Sequence, residues 1–277
     1  MFTMKTESAA ARGSAASVQF LTYVRREHAR RRWIIVSQVA LLVLFFGAWE
    51  LFPRMHWVNP LFVSYPSAIW PTFLALLKTG NLLHHTIATI DATLIGFFLS
   101  MAIGIIVASL LWWSDFAYKV FDPFLVMGNA MPKTAFIPIF YIWLGATYSV
   151  YGIAVAITVF ITIMTLYSGF RGIDSNKIKL MHTFGATRWQ VLVKLVIPGS
   201  VPTLVAALKM SFGLSLVGVI VGEFQSANTG LGYLILYGSQ IFKFNMVMTS
   251  IVVLALLSGL MYLIISQLEK AVLRRYG

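Results

Sequence analysis

The chain has 277 residues, 59% of them hydrophobic and 11% charged, with 21 Lys+Arg against 9 Asp+Glu for a formal charge of +12. Ordinary soluble domains are nearer half apolar and a quarter charged, so a disordered chain is excluded and a soluble nucleic-acid binder disfavoured. There are no cysteines, which removes disulfides, thiolate metal sites and cysteine nucleophiles. The composition is that of an all-α polytopic membrane protein.

About 20 mostly apolar residues cross a hydrocarbon core ~30 Å thick. The first 32 residues read as a basic tail, rich in Ala, Ser and Gly up to Ser17 and without expected structure there. An apolar run over 33–52 follows Arg30, Arg31 and Arg32. It is too long for a signal peptide, and no small-residue cleavage site follows, so it is read as a span. Residues 66–77 are apolar but too short to cross, which predicts an interfacial helix closing a segment over 33–85. Further spans are predicted at 86–111, 120–144, 148–170, 197–222 and 246–268, making six in all. The third is interrupted by Pro132 and Pro138. A second short segment, 230–242, resembles the interfacial one. Residues 86–268 then form the core and 269–277 a basic tail.

Orientation follows the distribution of Lys and Arg. Seven precede the first span, one is Lys119, five are Arg171, Lys177, Lys179, Arg188 and Lys194, and three are Lys270, Arg274 and Arg275. All of these fall on one side when the spans are threaded. The other side holds Arg54, Lys78 and Lys243, while Lys133 and Lys209 lie within spans. The asymmetry predicts that both termini are cytoplasmic.

The loop over 173–202 faces the same side. Asp174 or Ser175 can cap a short helix reaching about Phe184, which Gly185 can end in a left-handed conformation. Thr187 can cap a second helix, and Pro198 would end or kink it. Such a pair offers another protein a surface to push on; equally, it could be a basic loop that only anchors orientation.

The run Gly185-Ala186-Thr187-Arg188-Trp189, followed by Val196-Ile197-Pro198, Pro202 and Gly222-Glu223-Phe224, resembles the signature of binding-protein-dependent ABC importer permeases. The likeness continues through Asp122-Pro123-Phe124, Met131-Pro132-Lys133, Ile137-Pro138-Ile139, Trp143-Leu144-Gly145 and Gly230-Leu231-Gly232-Tyr233. It is most similar to the branch importing nitrate, sulfonates, taurine and related small anions or heterocycles. The resemblance implies the six-helix type I importer permease fold in a bacterial inner membrane. It also implies two permease subunits, identical or homologous, over two separate ABC ATPases, with a periplasmic or extracellular solute-binding protein delivering the solute. The lipid bilayer is the remaining partner; no nucleic acid and no cofactor are implied. The coupling loop would span 173–196, with Lys177, Lys179, Leu180, Met181, His182, Phe184, Gly185, Ala186 and Arg188 as the ATPase-contacting set. Two positions depart from the family. Lys179, Leu180 and Met181 stand where Glu-Ala-Ala is usual, and Ala92, beside Asp91, stands where an arginine often occurs.

No G-x-x-x-x-G-K-[ST] occurs, so a nucleotide hydrolase of that type is not encoded here. ATP-driven alternating access would use the loop as a mechanical receiver. Broken backbone at Pro132 and Pro138 is tolerated in lipid only where protein or water surrounds it, which makes that segment a pathway candidate. Lys133 and Lys209 could give the pathway a positive potential for an anion; the alternative is a structural ion pair, such as Lys209 with Asp91. Glu223 joins the pathway candidates. Gly96, Ser100, Gly104, Ser211, Gly213, Ser215 and Gly218 permit close helix packing, a reading favoured over pore lining. His84 and His85 sit at the entrance to the second span and read as solvated, so neither a metal nor any catalytic residue is assigned. The competing classes are an ion-gradient-driven carrier or channel, for which no internal repeat is seen, and an intramembrane enzyme, for which no nucleophile–base constellation is seen.

Overall fold

The computed structural model describes residues 3–59, 62–225 and 228–276. The side chains of residues 3–19, 21–22, 24–29 and 275–276 are outside the described set, and with them Lys5, Arg12, Arg25, Arg26 and Arg275 of the charge asymmetry. The chain divides into two units, residues 1–67 and 68–277. Every regular element described is helical.

In the first unit, α1 (Thr3–Arg54) runs unbroken through the stretch where composition predicts an unstructured tail. The alanines at 9–11, 15 and 16 are the strongest helix formers, and they carry the helix back toward the start of the chain. At its other end Glu50 accepts from the Ser67 N–H at 3.0 Å and hydroxyl at 2.7 Å, and pairs with Arg54 at 2.7 Å. The carboxylate thereby caps the start of α2 (Pro66–Lys78), the short helix expected over 66–77.

The remaining helices are α3 (Asn81–Trp113), α4 (Asp115–Ala130), α5 (Ile137–Arg171), α6 (Ser175–Thr183), α7 (Arg188–Val191), α8 (Ile197–Gly199), α9 (Val201–Gln225), α10 (Leu231–Gln240) and α11 (Phe244–Tyr276). Among the described residues, five stretches are long and apolar enough to cross a membrane: Arg30–Arg54, Asn81–Trp113, Lys133–Arg171, Val201–Gln225 and Phe244–Arg274. The expected third span, 120–144, is built from pieces, which is compatible with six crossings. Helix α4 stops at Ala130, Met131 and Pro132 are extended, and a 3₁₀ turn at Lys133–Phe136 leads into α5. Pro138 sits in the first turn of α5, where its missing N–H costs no helical bond, so Met131–Pro132 is the break and Pro138 is not. A second break comes at Gly145, whose φ of 75° and ψ of 176° divide α5 where two spans were expected to meet.

The core is the packing of α3, α5 and α9. Apolar surface is no driving force between helices in lipid, so close backbone approach and interhelical hydrogen bonds take its place. A Cβ added to Gly218 would lie 2.7 Å from the Ala154 Cα, and one on Gly96 would lie 2.7 Å from the Ala154 Cβ. Thr162 and Ser211 hydroxyls meet at 2.7 Å, and Ser215 donates to the Thr93 carbonyl at 2.9 Å. The small residues of the second and fifth spans thus serve packing within the chain. Gly213 differs, having open space beside it.

Candidate functional site

Two sites lie at opposite ends of α3. At its C-terminal end stands the loop that sequence nominated. Asp174 caps α6 by accepting from the Asn176 N–H at 2.8 Å. Phe184 closes the helix, and Gly185 follows at φ 77°. Thr187 opens α7 with a capping box: its hydroxyl accepts from the Gln190 N–H at 3.3 Å, and its own N–H donates to the Gln190 side chain at 2.8 Å. A π-helical turn at Leu192–Val196 then carries the chain to Pro198 in α8. The Ile197 N–H reaches back five residues to the Leu192 carbonyl. A wider turn is the local response to a proline whose ring crowds the carbonyl four residues behind it.

The nominated residues fall on two faces. Met181 and Ala186, joined by Ile178 from outside that set, pack against the apolar core of the bundle. Lys177, Lys179, Leu180, His182, Phe184 and Arg188 are exposed, with Phe184 at 79% and the adjoining Trp189 at 61%. Leu180 and Phe184 are four apart and so share a helix face, making an apolar ridge beside Lys177. Arg188 donates to the Trp113 carbonyl at 3.1 Å, tying the loop to the last residue of α3. Nearby, Asp115 pairs with Lys119 at 2.9 Å and Arg171 at 2.7 Å. The Lys119 hydrogen bond is the chief reason its carboxyl lies below the ordinary aspartate range.

At the other end, Glu223 is 2% exposed and organises the turn between α9 and α10. Its carboxylate accepts from the Thr89 hydroxyl at 2.8 Å and the Gly232 N–H at 2.8 Å. Thr89 accepts in turn from the Leu231 N–H at 2.8 Å, and His85 Nδ1 accepts from the Gly230 N–H at 3.0 Å. The amides of the N-cap Gly230 and of the first two residues of α10 are therefore satisfied by side chains of α3 and α9, as a buried helix start requires. Gly230 has φ 110°, and a Cβ there would lie 2.1 Å from the Glu223 Cδ. His85 is buried rather than solvated: its ring is needed as an acceptor, while His84 stays exposed.

The in-span lysines are both engaged. Lys209 pairs with Glu269 at 3.2 Å and lies 4.8 Å from the centre of the Tyr262 ring, so its ion-pair partner is Glu269 and not Asp91. Lys133 donates to the Asn129 carbonyl and lies 5.9 Å from the Phe160 ring centre. Asp91 instead accepts from the Tyr151 hydroxyl at 3.2 Å. Pro132 and Pro138 are exposed, and next to the α5 segment they introduce lies an apolar groove of about 680 Å³ between α3 and α5, lined by Leu99, Phe140, Leu144 and Phe160 among others. Among the described residues no group of three or more His, Asp or Glu is placed to hold a metal ion.

The family described as "Binding-protein-dependent transport system inner membrane component" matches residues 100–277. The formylaminopyrimidine transport permease of Halalkalibacterium halodurans is 28% identical over 88% of this chain and 97% of its own. The taurine transport permease of Escherichia coli K12 is 22% identical over 90% of this chain and 96% of its own. Among solved structures, a bacterial ABC transporter involved in import of the acidic polysaccharide alginate superposes with a TM-score of 0.63 at 12% identity, covering 87% of this chain and 96% of that one. The fold is thus that of type I ABC importer permeases, and the reading as a gradient-driven carrier or channel is set aside. The chain belongs to the binding-protein-dependent transport family and is an inner-membrane ABC importer permease.

Proposed function

We propose that this permease works with both termini in the cytoplasm, receiving force through α6 from a separate ATPase subunit and passing a solute supplied by a binding protein at the opposite end of α3. The observation that carries the proposal is the two-faced loop: Met181 and Ala186 anchor it in the bundle, while Leu180 and Phe184 stand exposed beside Lys177 and Lys179. The orientation rests on the basic residues gathered at the loop's end of the molecule, where Lys119, Arg171 and Arg188 stand. Residues 173–196 then act as the coupling loop within a core over 86–268, preceded by the tail and outer segment 1–32 and 33–85. His182, whose Nδ1 lies 3.1 Å from the Ala186 carbonyl, and Gly185 shape the loop rather than grip the partner. ATP-driven closure of two ATPases draws the coupling helices of two permease subunits together and rocks the spans about a pathway near Pro132 and Pro138. Support for a solute among small anions or heterocycles comes from relatives named for taurine and for a formylaminopyrimidine.

The test is assembly. The chain co-expressed with its cognate ATPase should purify as a complex that hydrolyses ATP, and the chain alone should not. Robust hydrolysis by the purified single chain would overturn the proposal.

A further inference from the structure

The two in-span lysines have contacts of their own: Lys209 is paired with Glu269 and Tyr262, and Lys133 donates to the Asn129 carbonyl beside the Phe160 ring. Separately, at the end of α3 away from the coupling loop, there is a cleft of about 240 Å³. Asp91, Tyr151, Thr147, Asn228, Thr229 and Glu223 give it polar walls, and among the described residues neither Lys nor Arg lines it. Each Glu223 oxygen already accepts one bond, from Thr89 and from the Gly232 amide, and the residue is 2% exposed. The exposed carboxylate of the cleft is that of Asp91. One of its oxygens receives the Tyr151 hydroxyl at 3.2 Å, and the other has no partner among the described residues. Asp91 is solvent-exposed, yet it lies ten residues into α3, about 15 Å along the axis from the first residue. A carboxylate within a span costs on the order of 3 kcal/mol against lipid, and such groups almost always face protein or a water-filled cavity. The volume is below the ~300–1,000 Å³ of pockets for drug-sized ligands, which suits a single small ring.

We infer that this cleft is a solute subsite selecting a small heterocycle that presents N–H donors or a protonated amine, with Asp91 as its acceptor. Tyr151 holds the carboxylate in place, and Thr147, Asn228 and Thr229 supply the remaining polar contacts. A sulfonate or nitrate would meet an unneutralised carboxylate there. The inference rests on the importer reading and narrows its solute from anions or heterocycles to the second class.

The test measures equilibrium binding to the full chain in nanodiscs, with aminomethylpyrimidine and ethanesulfonate as probes. Wild type should bind the pyrimidine at least tenfold more tightly than the sulfonate, and Asp91→Asn, nearly isosteric, should lose about tenfold for the pyrimidine. Glu269→Gln, which alters a carboxylate remote from the cleft, should leave the pyrimidine affinity within twofold. Tighter sulfonate binding, no pyrimidine binding by wild type, or equal affinity in Asp91→Asn would each overturn the inference. ATP-dependent hydrolysis by the assembled complex is measured separately. A binding failure with intact coupling removes the subsite alone, whereas loss of coupling would remove the importer mechanism.

Discussion

Replacing Glu223 separates the two roles a buried carboxylate at a span end can have, a charge for the pathway or a cap for a helix. In Glu223→Ala the Gly232 N–H, bonded to the carboxylate at 2.8 Å, is left buried without an acceptor, at about 1–3 kcal/mol. The Thr89 hydroxyl loses less, because the His85 carbonyl at 3.2 Å can accept its proton. The emptied volume adds about 1 kcal/mol or more, so the total is about 2–4 kcal/mol. For a domain of this size that is about 5–15 °C in Tm. Glu223→Gln is different. Its side-chain oxygen can take the Gly232 N–H and its NH₂ can donate to Thr89, whose oxygen has a second lone pair beside the one used by Leu231. The expected loss is about 1 kcal/mol or less, under about 4 °C. Thermal unfolding of the purified variants in detergent, followed by tryptophan fluorescence, makes the comparison. The cap argument is refuted if Gln falls as far as Ala, because charge would then be what matters, or if Ala stays within 2 °C of wild type.

Three further outcomes are expected. Gly185→Val should leave the bundle intact, since a side chain there meets nothing within 4 Å, but should abolish solute-stimulated ATPase activity because a β-branched residue resists φ 77°; unchanged stimulation would count against the left-handed Gly185 as what shapes the loop. Lys179→Glu should weaken co-purification with the ATPase severalfold if the partner's groove is acidic, and tighter assembly would reverse that idea. Gly218→Val should cost about 3 kcal/mol or more and fail to give a monodisperse protein, because its Cβ would press on the Ala154 backbone at 2.7 Å; a well-behaved variant would contradict the packing described for α5 and α9.

Local chemistry was readable in the sequence where it is local in space. The cap at Asp174, the left-handed Gly185 and the cap at Thr187 each involve residues within a few positions of one another, and the structure has them as expected. Pairings across the bundle were not readable. Lys209 meets Glu269 sixty positions on, and nothing in an apolar run indicates which of several carboxylates it will reach. His85 was misread for the same reason: adjacent histidines beside a span look solvated until the α9–α10 turn brings the Gly230 amide against one of them. The prolines announced a break without locating it, because Pro138 at a helix start and Pro132 in extended backbone look alike in sequence.

Helix α3 is held at both ends by different parts of the chain. Near its first turns His85 and Thr89 grip the start of α10, and at its last residue Trp113 accepts from Arg188 of the loop. Its 33 residues make a rod about 50 Å long. A tilt of about 5° pivoting at one end therefore swings the other by about 4 Å. With fixings at both tips, a small angular change imposed at one end would become an ångström-scale displacement at the other. The leverage lies in the length of the rod.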